Sequence, residues 1–126
     1  MRFDYPGVRL SQVCSVEAER GPDSAVLRLH GEFDLSSDKR FGDELAVVLA
    51  DEPGTLVVDL RGLTFMDSTG LRVLVSLHNL SDQEGFDYAV LCENGSVRRV
   101  LHETGLDDIL PVIDPSGAVP ATDSAV

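Results

Sequence analysis

Two cysteines, Cys14 and Cys92, are all the thiol chemistry in this 126-residue chain. They stand far apart in sequence, each inside an apolar stretch. A pair so placed reads as reduced core thiols and supplies neither a disulfide framework nor a metal-binding cluster. A reducing, cytoplasmic setting is therefore expected. Basic residues are scarce as well: 10 Lys and Arg against 22 Asp and Glu give a formal net charge of -12. Such a chain repels phosphate backbones and anionic headgroups, which argues against nucleic acid and membrane surfaces as partners. No apolar run approaches the roughly 20 residues of a bilayer span. The opening Met1-Arg2-Phe3-Asp4-Tyr5-Pro6 has no apolar core of a secretion signal. A phosphate-cradling glycine loop is also missing, so no nucleotide or other cofactor is predicted.

What is present fits one domain. No internal repeat is visible, and breakers gather at the ends, so the chain divides into an N-terminal extension (1–11), a domain (12–113) and a flexible C-terminal tail (114–126). Gln12 to Glu19 reads as a strand with Cys14, Val16 and Ala18 on one face; the turn Arg20-Gly21-Pro22-Asp23 reverses the chain, and Ala25 to His30 pairs back as a hairpin. Ser36 or Ser37 caps a helix carrying Phe41, Leu45, Val48 and Leu49 on one face, with Gly42 a weak point inside it. Thr55 to Leu60 reads as a central strand covered on both faces. Ser68 to Gln83 is a helix with Leu71, Leu74, Val75, Leu77 and Leu80 opposite a polar stripe that includes Arg72. Asp87 to Cys92 is the next strand, and Ser96 caps a helix stopped at Gly105. Ile109 to Ile113 is a last strand, which Pro111 assigns to a sheet edge. The order ββαβαβαβ predicts a single α/β domain with a mixed sheet, the first hairpin antiparallel and the remaining strands parallel.

The stretch Phe65-Met66-Asp67-Ser68-Thr69-Gly70 joins a strand end to a helix start, at the sheet edge where open α/β sheets place functional groups. Three readings of Ser68 compete there. As a helix cap it would satisfy a free amide of the first turn. As a hydrolase nucleophile it would need the G-x-S-x-G elbow, but Met66 stands where the first glycine belongs, and His78 is roughly 15 Å down the same helix. A different phosphoacceptor, Asp59 of a receiver-type domain, lacks the acidic pair after the first strand and the late lysine such sites need, because the only lysine is Lys39.

The third reading of Ser68 rests on three stretches in order. Leu56 to Leu71, with its Asp67-Ser68-Thr69-Gly70-Leu71 core, resembles the signature of STAS domains of the anti-sigma factor antagonist family. Gly31-Glu32-Phe33-Asp34 resembles the loop after that family's second strand, and Val97 to Leu106 its third helix. The resemblance implies a binding switch with no catalysis of its own. It makes Ser68 the residue phosphorylated by an anti-sigma factor serine kinase and restored by a serine phosphatase. Asp34, Asp67, Thr69, Gly70, Leu71 and Arg72 then form the partner-binding surface. Arg72 departs from the family's pattern, which often has a small residue there; one turn from Ser68, it stands within reach to clamp the phosphate. The unphosphorylated form would hold the anti-sigma factor and free a sigma factor. A STAS module serving as a scaffold, or as an accessory subunit of a signalling or lipid transport complex, is the alternative.

Overall fold

The computed structural model describes residues 14–115. Its strands are β1 (Ser15–Arg20), β2 (Ser24–Phe33), β3 (Thr55–Met66), β4 (Asp87–Leu91) and β5 (Val112–Ile113); its helices are α1 (Asp38–Leu49), α2 (Ser68–Glu84) and α3 (Ser96–Glu103). The five strands lie side by side in chain order. β1 runs antiparallel to β2, and every later pair is parallel. This is the mixed ββαβαβαβ sheet the sequence predicts.

Strand order settles where the helices go. Each crossover steps one strand in the same direction, and right-handed crossovers then put α1, α2 and α3 on one face. Alternation along the strands agrees. Leu27, Leu29, Leu56, Val58, Leu60 and Val90 are buried in one core with Phe41 and Val48 of α1, Leu74 and Leu77 of α2, and Val97 and Leu101 of α3. The other face carries half-buried Val26, Val57, Ala89 and Leu91. The expectation that the central strand is covered on both faces is therefore corrected: among the described residues its second face bears no helix.

That second face holds one buried charge. Asp59 is 4% exposed and accepts from the backbone amide, Nε and Nη2 of Arg61 at 3.0, 2.9 and 2.8 Å. Hydrogen bonds from the Arg61 side chain hold its carboxyl below the ordinary range. A carboxylate so enclosed serves structure, which agrees with rejecting it as a phosphoacceptor.

β3 is longer than its sequence suggests. The sequence places the strand at Thr55 to Leu60, yet it continues through Arg61-Gly62-Leu63-Thr64 to Met66. β4 pairs only with Thr55 to Asp59, so beyond that point β3 is accompanied by β2 alone, through two register shifts. Gly62 permits the close approach at the first shift, since a Cβ there would strike the Leu29 carbonyl and the His30 ring. The β2–β3 ribbon thus continues past the pairing with β4 and carries Asp34 and the Asp67-Ser68 segment at its end.

Several ends differ from expectation. Leu35–Ser37 forms a 3₁₀ turn capped by Asp34, and Ser37, at the cap position of α1, makes no side-chain cap hydrogen bond. Gly95 caps α3 in place of Ser96, whose hydroxyl donates to the Thr64 carbonyl at 3.3 Å. The last strand shrinks to Val112–Ile113 and is preceded by a 3₁₀ turn at Leu106–Asp108. Pro111 precedes the edge strand and uses only its carbonyl, which accepts from the Val90 amide at 2.9 Å. Gln12 and Val13, the N-terminal extension and all of the tail after Pro115 lie outside the described residues.

Candidate functional site

Two strand ends build the site. Phe33 is in register with Met66, and the Asp67 amide donates to the Phe33 carbonyl at 3.2 Å, so Asp34 and Asp67 follow at neighbouring strand ends. Both carboxylates are organised locally. Asp34 accepts from the Ser36 hydroxyl at 2.6 Å and the Ser36 amide at 3.0 Å, while the Ser37 hydroxyl accepts from the Asp34 amide at 3.2 Å in a reciprocal capping box. The Ser36 hydroxyl is the main reason the Asp34 carboxyl lies below its ordinary range; partial burial opposes it and the backbone amides add to it. Asp34 is therefore a fixed anion at neutral pH.

Asp67 caps α2. Its extended backbone ends β3, and its carboxylate accepts from the Thr69 amide at 2.8 Å. The cap reading of Ser68 is corrected by this contact: Asp67 satisfies the first turn, and Ser68 becomes the first helical residue, exposed to solvent. With the cap supplied by its neighbour, the Ser68 hydroxyl is left for other chemistry.

The remaining motif residues divide by face. Thr69 and Gly70 are buried and Leu71 packs against the core, whereas Arg72 faces outward. Gly70 is needed for space, because a Cβ there would run into the Met66 side chain. The Arg72 guanidinium turns to α1: its Nη2 is 3.8 Å from Oδ2 of Asp38.

None of the three histidines joins Ser68. His30 meets Glu17 at 2.7 Å, His78 meets the Tyr88 hydroxyl at 2.8 Å, and His102 meets Asp107 at 3.0 Å. Burial pushes the Tyr88 phenol up to about 12 and the Cys92 thiol up to about 11, so neither is an activated group. Among the described residues no cluster of His, Cys, Asp or Glu could hold a metal ion, and no helix is long and apolar enough to cross a membrane.

Sequence reasoning missed two residues here. Leu35 is 71% exposed directly after Asp34, and Phe65 is 48% exposed two positions before Asp67. The signal was available for Phe65: alternation along β3 turns it outward when Met66 turns in.

Comparison with known proteins places this geometry in a family. The STAS domain model matches residues 15–118, and the chain belongs to the STAS domain family. It is 34% identical over 83 residues to the anti-sigma-F factor antagonist RsfB of Mycobacterium tuberculosis, an alignment covering 66% of this chain and 67% of RsfB. The crystal structure of an anti-sigma factor antagonist from Mycobacterium paratuberculosis superposes with a TM-score of 0.71 at 26% identity, covering 86% of this chain and 91% of that one. The Bacillus cell fate determinant SpoIIAA in its phosphorylated form shares the fold, with a TM-score of 0.64 at 19% identity over 82% of this chain and 93% of that one.

Proposed function

We propose that this protein is an anti-sigma factor antagonist, a cytoplasmic binding switch set by phosphorylation of Ser68. The observation that carries the reading is the exposed Ser68 hydroxyl at the first position of α2, set beside two fixed carboxylates, Asp34 and Asp67. Relatives named as antagonists of anti-sigma factors support it. The partner is an anti-sigma factor with serine kinase activity. It transfers the γ-phosphoryl group of ATP to the Ser68 oxygen, releasing ADP and the hydroxyl proton; a serine phosphatase hydrolyses the ester and restores the hydroxyl.

Charge explains the switch. Phosphate adds about -1.5 to -2 at neutral pH, and it arrives in a chain of net charge -12 next to two carboxylates. Ser68 is exposed, so the fold accommodates the group and the partner surface bears the cost. Leu35 and Phe65 supply exposed apolar area beside it, the kind of contact that anchors an interface. Like charge brought against such an interface costs several kcal/mol, and each 1.4 kcal/mol is tenfold in affinity.

The test uses three proteins and the partner captured with them. Ser68→Ala binds with or without ATP, the natural protein loses affinity after ATP treatment, and Ser68→Asp binds weakly from the start. Calorimetry together with mass spectrometry of the ATP-treated protein reads this out. Equal affinities throughout, or phosphate only at another residue, would remove the switch.

A further inference from the structure

Arg72 lies four residues beyond Ser68 on α2. Residues so spaced share a helix face, and side chains on a helix lean toward its N-terminus, so the Arg72 stem inclines back over the turn that carries Ser68. The guanidinium is nonetheless engaged elsewhere. Its Nη2 stands 3.8 Å from Asp38 Oδ2, with the two side chains 64% and 48% exposed. At that distance the contact is Coulombic without a hydrogen bond, and solvent screens it, so Arg72 is held loosely.

Neighbouring charges make shorter contacts. Lys39 meets Asp43 at 2.7 Å, Asp34 is tied to Ser36, and Asp67 to the Thr69 amide. Arg72 is a cation on the Ser68 face that can answer a new charge there without breaking a short contact.

We propose that Arg72 has two positions: it pairs with Asp38 while Ser68 is unmodified, and it moves to the phosphate when Ser68 carries one. The proposal rests on reading Ser68 as the phosphorylated residue. A guanidinium meets phosphate oxygens with two parallel N–H donors, a stronger match than one long contact to a solvated carboxylate. The move has a second consequence. Arg72 and Asp38 stand together on a groove of about 220 Å³ between α1 and α2, lined also by Phe41, Leu45 and Val73. Withdrawing the cation leaves Asp38 without its partner at that groove, so modification alters the α1–α2 surface as well as Ser68 itself. Arg72 also offsets part of the phosphate charge and thereby limits the size of the switch.

The test needs no kinase. Full-length protein with phosphoserine introduced at position 68 during synthesis is titrated by ³¹P NMR, free phosphoserine ionising for the second time near about 6. Arg72 favours the dianion, so Arg72→Gln is expected to raise the phosphate pKa by about half a unit, a roughly threefold change in acidity. Asp38→Asn releases Arg72 and removes a nearby negative charge, so it lowers the value further; Arg72→Lys recovers part of the effect. The amides of Gly42 and Leu45 shift on phosphorylation in the natural protein and not in Arg72→Gln. Coincident titration curves for the natural protein and Arg72→Gln overturn the proposal whatever any kinase does. A displaced curve, with Ser68 found unmodified in cells, upholds the two positions of Arg72 and removes the functional reading instead.

Discussion

The Asp67 amide reaches the Phe33 carbonyl across 3.2 Å and closes the ladder between β2 and β3. Adjacent strands are about 4.8 Å apart, so this bond keeps Asp34 and Asp67 at one edge, and the side chain of the same Asp67 then starts α2.

Asp67 therefore has two separable roles. Asp67→Ala removes the cap and is expected to cost about 1 kcal/mol of stability. Asp67→Asn keeps an equivalent cap and removes only the charge, so its melting temperature should stay close to that of the natural protein. A melting curve of Asp67→Asn that matches Asp67→Ala would show that the charge, and not the hydrogen bond to Thr69, starts the helix.

The two helical glycines respond oppositely to the same change. A Cβ at Gly42 meets nothing within 4 Å, so Gly42→Ala stabilises by roughly 0.5 to 1 kcal/mol through helix propensity. A Cβ at Gly70 enters the space of buried Met66, and overpacking of this kind costs about 1 to 3 kcal/mol. Denaturant unfolding of both variants checks the signs. Met66→Ala combined with Gly70→Ala should be less damaging than the sum of the two, because the first change removes the obstacle.

Asp59 sets an acid limit. Its carboxyl lies below the ordinary range in the folded state because Arg61 hydrogen-bonds it. A depressed folded-state pKa contributes stability that is fully present above the unfolded value of about 3.9 and is lost as pH falls through the folded value. The natural protein should lose this contribution progressively below about pH 4. Asp59→Asn should be less stable at pH 7 by about 1.5 to 3 kcal/mol, the usual worth of hydrogen bonds to a charged group, and the gap should narrow as acid is added. A gap independent of pH would mean that the pair contributes packing and little electrostatics.

The fold was legible because its signals are periodic. The short apolar, β-branched run Thr55 to Leu60, and helical spacing in Phe41 to Leu49 and Leu71 to Leu80, separate strands from helices without knowledge of their neighbours. The extension of β3 through Arg61 and Gly62 was not legible: the apolar run ends at Leu60, and the strand goes on because β2, with its own shifts of register, is laid beside it. Caps were legible only as a choice. Asp67 and Ser68 are both good cap residues, and the backbone hydrogen bond from Asp67 to Phe33 decides between them. The Arg72–Asp38 pair joins residues 34 apart, which no local pattern reveals.

Leu35 and Phe65 carry the last prediction. Both are large apolar groups left in solvent on the two segments that bring Asp34 and Asp67 together, one at 71% and the other at 48% exposure. An exposed side chain contributes little to the core, so Leu35→Ala and Phe65→Ala should each unfold within about 0.5 kcal/mol of the natural protein. At an interface the same groups would be buried, and truncating an anchor there costs about 2 kcal/mol or more, roughly thirtyfold in affinity. Unmodified protein carrying either change should therefore bind the captured partner at least about thirtyfold more weakly in calorimetry. Salt should leave that loss nearly unchanged, since screening acts on charges and not on apolar contact. Val47, 54% exposed on α1 and outside the strand-end segments, is the comparison: Val47→Ala should bind normally. If Leu35→Ala and Phe65→Ala bind as tightly as Val47→Ala, the partner approaches Ser68 from another side and the apolar anchors proposed here are wrong.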